Sequence, residues 1–103
     1  MDKKAVGEIE KFKKETNKHI HIDKVIFFGS RTGKKFRKDS DVDLIIVSEK
    51  FSKMNFFKRV AKMYDYWKSD YPVDFICYTP EEFNKLSEQV SIVSEAVREG
   101  IEV

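Results

Sequence analysis

The sequence has one cysteine, Cys77, two prolines and four glycines among 103 residues. A lone cysteine excludes an internal disulfide, so the fold rests on its core, as suits a reducing compartment. No apolar run approaches the roughly 18 residues that a membrane-crossing helix needs. The opening MDKKAVGEIEKFKK lacks the apolar centre of a secretory signal. These absences predict a cytoplasmic protein with no membrane partner. Repeats, low-complexity tracts and linker-like stretches are also absent, which predicts one domain over residues 1–103. The formal net charge of +2 is too small to imply nucleic acid by itself.

What is present is a sizeable core. Hydrophobic residues make up 41% of the chain and nine are phenylalanine, enough to outweigh 37% charged residues and exclude disorder. The charge is unevenly placed: Arg31, Lys34, Lys35, Arg37 and Lys38 crowd into one short segment. Such a cluster suits a compact polyanion such as a triphosphate as well as a nucleic-acid backbone.

Apolar spacing predicts a helix over residues 3–17, with Ala5, Ile9 and Phe12 on one face. Val25–Phe28 reads as a buried strand turning at Gly29, and Asp41–Val47 as a second strand. Residues 56–67 repeat apolar side chains at helical spacing. Pro72 opens a third strand, Val73–Tyr78. Thr79 then caps a helix with Pro80 in its first turn, expected to run to about Arg98 and stop at Gly100. The link Ser30–Ser40 is shorter than the dozen or more residues of a parallel crossover, so the first two strands should pair antiparallel. The fold class is therefore a small mixed α/β (α+β) domain, with a sheet of three or more strands flanked by helices.

The stretch VIFFGSRTGKKFRKDSDVDLIIV holds the chemistry. It is not a P-loop: Gly29 and Gly33 are separated by three residues rather than four, and Lys35 stands where a hydroxyl is needed. Nor is it a calcium loop, since Leu44 and Lys50 replace the required Gly and Glu. On a strand, Asp41 and Asp43 project to the same side. Two carboxylates about 4 Å apart repel by roughly 4 kcal/mol at an effective dielectric near 20, unless one is protonated or a cation sits between them. Hard oxygen ligands of this kind suit Mg²⁺ or Mn²⁺. Asp74, an acid inside an apolar strand, is the natural third ligand. Gly29 lets a phosphate approach the backbone, and Ser30 can cap the turn beneath it. Arg31 or Lys38 lies between phosphate turn and metal strand and is expected to touch the triphosphate. The competing bland reading pairs all three aspartates with nearby lysines at exposed strand ends.

Gly29-Ser30, nine residues, then Ser40-Asp41-Val42-Asp43-Leu44 resembles the signature of the DNA polymerase β nucleotidyltransferase superfamily. The small size is similar to its minimal nucleotidyltransferases. The resemblance implies two metal ions held by Asp41 and Asp43, with Asp74 completing the one that activates the nucleophile. It also implies that Gly29 and Ser30 hold the outgoing phosphates of ATP. After Gly-Ser many members carry x-A-R-G; this chain has Arg31-Thr32-Gly33-Lys34, so the glycine is displaced by one. Small members often act as antitoxins beside a helical toxin, moving AMP onto its tyrosine. The resemblance thus implies a helical protein partner; transfer to a small hydroxyl compound and a non-catalytic binding module are the alternatives.

Remaining signals are structural. His19 and His21 lack further ligands for zinc and read as surface residues. Cys77 reads as a small core residue. Phe57, Tyr64 and Trp67 read as core or partner interface.

Overall fold

The computed structural model describes residues 1–103. Helix α1 (Lys3–Asn17) precedes strand β1 (Lys24–Phe28), a single turn at Ser30–Thr32 and strand β2 (Val42–Val47). A further turn at Glu49–Lys53 leads to α2 (Phe56–Tyr66), β3 (Val73–Tyr78), α3 (Pro80–Ser87), α4 (Ile92–Glu99) and β4 (Ile101–Glu102). The sheet order is β3-β2-β1-β4. β1 pairs antiparallel with both β2 and β4, as expected for β2, while β2 and β3 run parallel.

Helices cover both faces of the sheet, which explains why Leu44-Ile45-Ile46-Val47 is an unbroken apolar run rather than an alternating one. Val25, Phe27, Leu44, Ile46, Phe75 and Cys77 pack with Ala5, Ile9 and Phe12 of α1 and Met63 of α2. On the other face Ile26, Ile45 and Val47 meet Phe83 of α3 and Val93 and Ala96 of α4. Each fully buried Leu, Ile or Phe side chain contributes roughly 1.5–3 kcal/mol over its exposed state. Trp67 joins the larger core, its ring edge-on to Phe12 and Phe75. Phe57 does not; it is 85% exposed.

Local chemistry sets the helix starts. The Asp2 carboxylate accepts from the Ala5 amide at 3.1 Å, and Asn55 caps α2 through the Lys58 amide at 2.9 Å. Thr79 and Glu82 form a reciprocal capping box with Pro80 at the first helical position, as the sequence suggests.

One expectation fails here. The helix foreseen from Thr79 to Arg98 is two, broken at residues 88–91. In one straight helix Ala96 would point about 140° away from Phe83, so both could not reach the sheet. Ser91 makes the break: its hydroxyl donates to the Leu86 carbonyl at 2.8 Å and accepts from the Ser94 amide at 3.2 Å. The two-residue β4 is too short to leave a periodic signal.

β3 is an edge strand, and α2 blocks that edge. The Tyr64 hydroxyl donates to the Val73 carbonyl at 2.6 Å, and Arg59 donates to the Cys77 carbonyl at 3.3 Å. Side-chain donors on edge carbonyls leave less for another strand to pair with.

Candidate active site

Parallel register sets Asp43 directly beside Asp74, and antiparallel register sets Phe28 on its other side. Asp43 alternates with Ile45 and Val47, and Asp74 with Ile76 and Tyr78. Both carboxylates therefore lie on the face that α3 and α4 cover further along. Asp41 stands one residue before β2 and, like Asp74, is exposed, whereas Asp43 is half-buried. The sheet sets Asp43 and Asp74 side by side, with Asp41 near enough for its charge to act on Asp43.

Gly29 fits tightly against them. Its φ is +86°, a conformation L side chains rarely adopt, and a Cβ there would stand 2.1 Å from Asp43 Oδ2. The glycine is needed first to make room for the Asp43 carboxylate. Ser30 is exposed at the start of the following turn, which no side chain caps. The Thr32 hydroxyl donates to the Gly29 carbonyl at 2.6 Å and closes that turn.

Electrostatically the cluster is uncompensated. Desolvation, then the charges of Asp74 and Asp41, push the Asp43 carboxyl up to about 6 from its ordinary 3.8. No ion pair of the chain involves Asp41, Asp43 or Asp74. The lysine pairing that the bland reading calls for is absent, while Asp41 and Asp74 are exposed as that reading expects. The side chains do not form a preassembled cage of three metal-ligating groups. The donor chemistry nevertheless fits a hard divalent cation: adjacent carboxylates, one of them destabilised as an anion, with no cation of the chain to offset them.

Arg31 is where the structure departs from expectation. It is buried, donating to Asp2 Oδ2 at 2.6 Å and to the carbonyls of Lys38 at 2.7 Å and Ser40 at 2.8 Å. Its guanidinium is occupied and turned inward, so it is not free to grip a triphosphate. Lys34, Lys35, Arg37 and Lys38 are exposed, and Arg37 pairs with Asp39 at 3.2 Å. Tyr64, which the sequence places only on an apolar helix face, stands near the acids. Burial, then the charges of Asp74 and Asp41, raise its phenol above the ordinary value. Only the packing of α2 against β3 could reveal that.

His19 stacks on Tyr66 with ring centroids 5.3 Å apart, and His21 Nε2 lies 3.2 Å from Asp23 Oδ1. Each has its own neighbour, as surface residues do. Cys77 is buried, as expected of a core residue.

A cavity of about 280 Å³ adjoins the site between Gly29, Phe28 and Thr32 on one side and Ile92, Glu95 and Glu99 of α4 on the other. A larger hollow of about 720 Å³ lies at the opposite ends of β2 and β3, lined by Glu49, Lys50, Thr79 and Glu81 among others. It touches none of the three acids, and its size gives it no claim on the chemistry.

No helix is long and apolar enough to cross a membrane. Comparison with curated proteins returns no match. Among solved structures, the chain is similar to a Sulfolobus solfataricus protein provisionally described as a nucleotidyltransferase. The two share 21% identity and a TM-score of 0.51 over 79% of this chain and 78% of that one. That likeness shows a shared fold. The nucleotidyltransferase domain model matches residues 8–102, a span that contains Gly29-Ser30 and all three aspartates, and this chain belongs to that family.

Proposed function

We propose that the domain moves AMP from ATP onto a tyrosine hydroxyl of a helical partner protein, as an antitoxin acting on its toxin. The observation that carries the catalytic part is the unpaired trio Asp41, Asp43 and Asp74 at an open end of the sheet. Asp41 and Asp43 would hold two Mg²⁺ ions, or Mn²⁺, with Asp74 completing the second position. Bound there, such ions neutralise the triphosphate and lower the cost of ionising the attacking hydroxyl.

The chain's own residues supply orientation. Gly29 and the exposed Ser30 would face the outgoing β- and γ-phosphates, and Lys38 on the loop above would add a positive charge. The acceptor oxygen bonds to the α-phosphorus while the bond to the β-phosphate oxygen breaks. Pyrophosphate leaves, and the acceptor's proton passes to solvent or to a carboxylate at the site.

The acceptor reading is supported by openness. Asp41 and Asp74 are exposed, and the adjoining cavity of about 280 Å³ does not enclose them. An acceptor that is not enclosed must be held by docking, which favours a protein over a small hydroxyl compound.

ATP labelled on the α-phosphate, incubated with Mg²⁺, the domain and lysate of its source, tests this. Label on one protein band, absent with Asp41→Asn/Asp43→Asn, is the expected result. Label confined to a small-molecule fraction would identify an acceptor of the antibiotic type. Equal lanes, in a lysate shown to contain the partner, would leave a binding module.

A further inference from the structure

Arg31 belongs to a basic segment whose other cationic side chains face water, yet it is 4% exposed. Burying a guanidinium is costly unless its donors are matched. Here the match is close: Nε donates to the Ser40 carbonyl at 2.8 Å, one terminal nitrogen to Asp2 Oδ2 at 2.6 Å, and the other to the Lys38 carbonyl at 2.7 Å. The rings of Phe36 and Tyr71 lie 5.4 and 5.0 Å from its carbon centre. The backbone adds a further strap, the Asp2 amide donating to the Arg31 carbonyl at 2.9 Å.

The chain positions of these partners matter. Arg31 follows Ser30 directly, Ser40 precedes Asp41 directly, and only Pro72 and Val73 separate Tyr71 from Asp74. One guanidinium thus touches segments bordering the glycine turn and two of the three acids. The loop between Gly33 and Asp41 is mostly exposed and, beyond Ser40 and Arg37, has few bonds of its own. The β1–β2 ladder ends at the pair Phe28 with Asp43, so beyond it the clasp and that loop are what join Ser30 to Asp41. Sites for group transfer need their parts held to about 0.5 Å.

We propose that Arg31 is the positioning residue of the site, fixing the Gly29-Ser30 turn relative to Asp41, and that Asp2 holds Arg31 in place. This rests on reading the aspartates as metal ligands and Gly29-Ser30 as the phosphate turn. Three separate acceptors need the planar fork of arginine; a lysine offers one point charge and cannot span them.

Arg31→Lys tests the proposal, beside Arg59→Lys as control. Arg59 is also a buried guanidinium, donating to Glu82, Phe51 and Cys77 and touching no residue of the site. Mn²⁺ titration, followed by the ion's spin resonance signal, and amide hydrogen exchange are measured on the full chain. Arg31→Lys should weaken Mn²⁺ binding about tenfold or more, as loss of a group orienting the ligands does. It should also speed exchange at the Thr32 and Val42 amides, which donate to the Gly29 carbonyl at 3.2 Å and the Pro72 carbonyl at 2.8 Å beside the turn and beside Asp41. Asp2→Asn, which keeps a capping side chain but removes the charge, should shift both in the same direction. Arg59→Lys should lower the unfolding midpoint and move neither.

Wild-type Mn²⁺ affinity and exchange in Arg31→Lys, or equal effects of the two lysine variants, would overturn the proposal and leave Arg31 a general brace. If the wild type itself binds no Mn²⁺, the metal reading of the acids falls. Exchange at Thr32 and Val42 would then still decide whether Arg31 holds the turn against the start of β2.

Discussion

Replacing Asp43 with asparagine should stabilise the metal-free protein at neutral pH, an unusual outcome for a residue of the central strand. In the fold its carboxyl is held near 6, against 3.8 ordinarily, by desolvation and by Asp74 and Asp41. The folded state therefore keeps a proton that the unfolded chain gives up more readily. Below about pH 3.8 both states are protonated and no penalty exists. Between there and about pH 6 stability falls, and above pH 6 the loss is complete. The shift alone corresponds to about 3 kcal/mol at 1.36 kcal/mol per pKa unit. Partial exposure screens it, so about 1–2 kcal/mol is the expected loss. Asparagine, similar in shape and never charged, should recover that amount, or roughly 4–16 °C in unfolding midpoint. Melts in EDTA from pH 3.5 to 8 measure it. The variant and wild type should converge near pH 3.5 and separate above pH 6, with the variant higher. Millimolar Mg²⁺ should then raise the wild type by RT ln(1 + [Mg²⁺]/Kd) and leave the variant unmoved. A variant less stable than wild type by the same amount at every pH would refute the reasoning, because Asp43 would then be a satisfied structural residue.

Other perturbations follow from the same contacts. Gly29→Ala forces a Cβ to 2.1 Å from Asp43 Oδ2 at φ +86°, and should cost roughly 1–3 kcal/mol in urea unfolding while weakening Mn²⁺ binding. Arg59→Ala strands the Cys77 and Phe51 carbonyls and breaks the pair with Glu82, at a cost of about 3 kcal/mol, with activity per folded molecule retained. Phe27→Ala, at a fully buried position, should cost roughly 3–5 kcal/mol. Phe57→Ala, at an 85% exposed one, should change stability by less than about 0.5 kcal/mol, and denaturant melts distinguish the two.

Most of the fold could be read from local pattern because its elements obey single periods. α1, the antiparallel pairing of β1 with β2, and β3 all match what spacing and loop length predict. The aspartate trio was legible from spacing: Asp41 and Asp43 lie two apart at the start of β2, and Asp74 falls beside Asp43 in β3, exposed rather than buried as its apolar neighbours suggested. What escaped depends on contacts distant in sequence. The break between α3 and α4 exists so that Phe83 and Ala96 can both reach the sheet, which helical propensity alone does not show. Arg31 looked like one cation in a basic run, and only its pairing with Asp2, at the other end of α1, turns it inward. Tyr64 reached the acids through tertiary packing that its helical spacing could not reveal.

Nucleotidyl transfer by this domain is proposed to run through Asp41, Asp43 and Asp74. Its most direct test runs ATP labelled on the α-phosphate beside ATP labelled on the γ-phosphate, with partner-containing lysate and Mg²⁺, for wild type and Asp43→Asn. Acceptor labelled from the α-phosphate alone, and only by wild type, is the predicted result. Label from the γ-phosphate, or α-label that persists in Asp43→Asn, would contradict it.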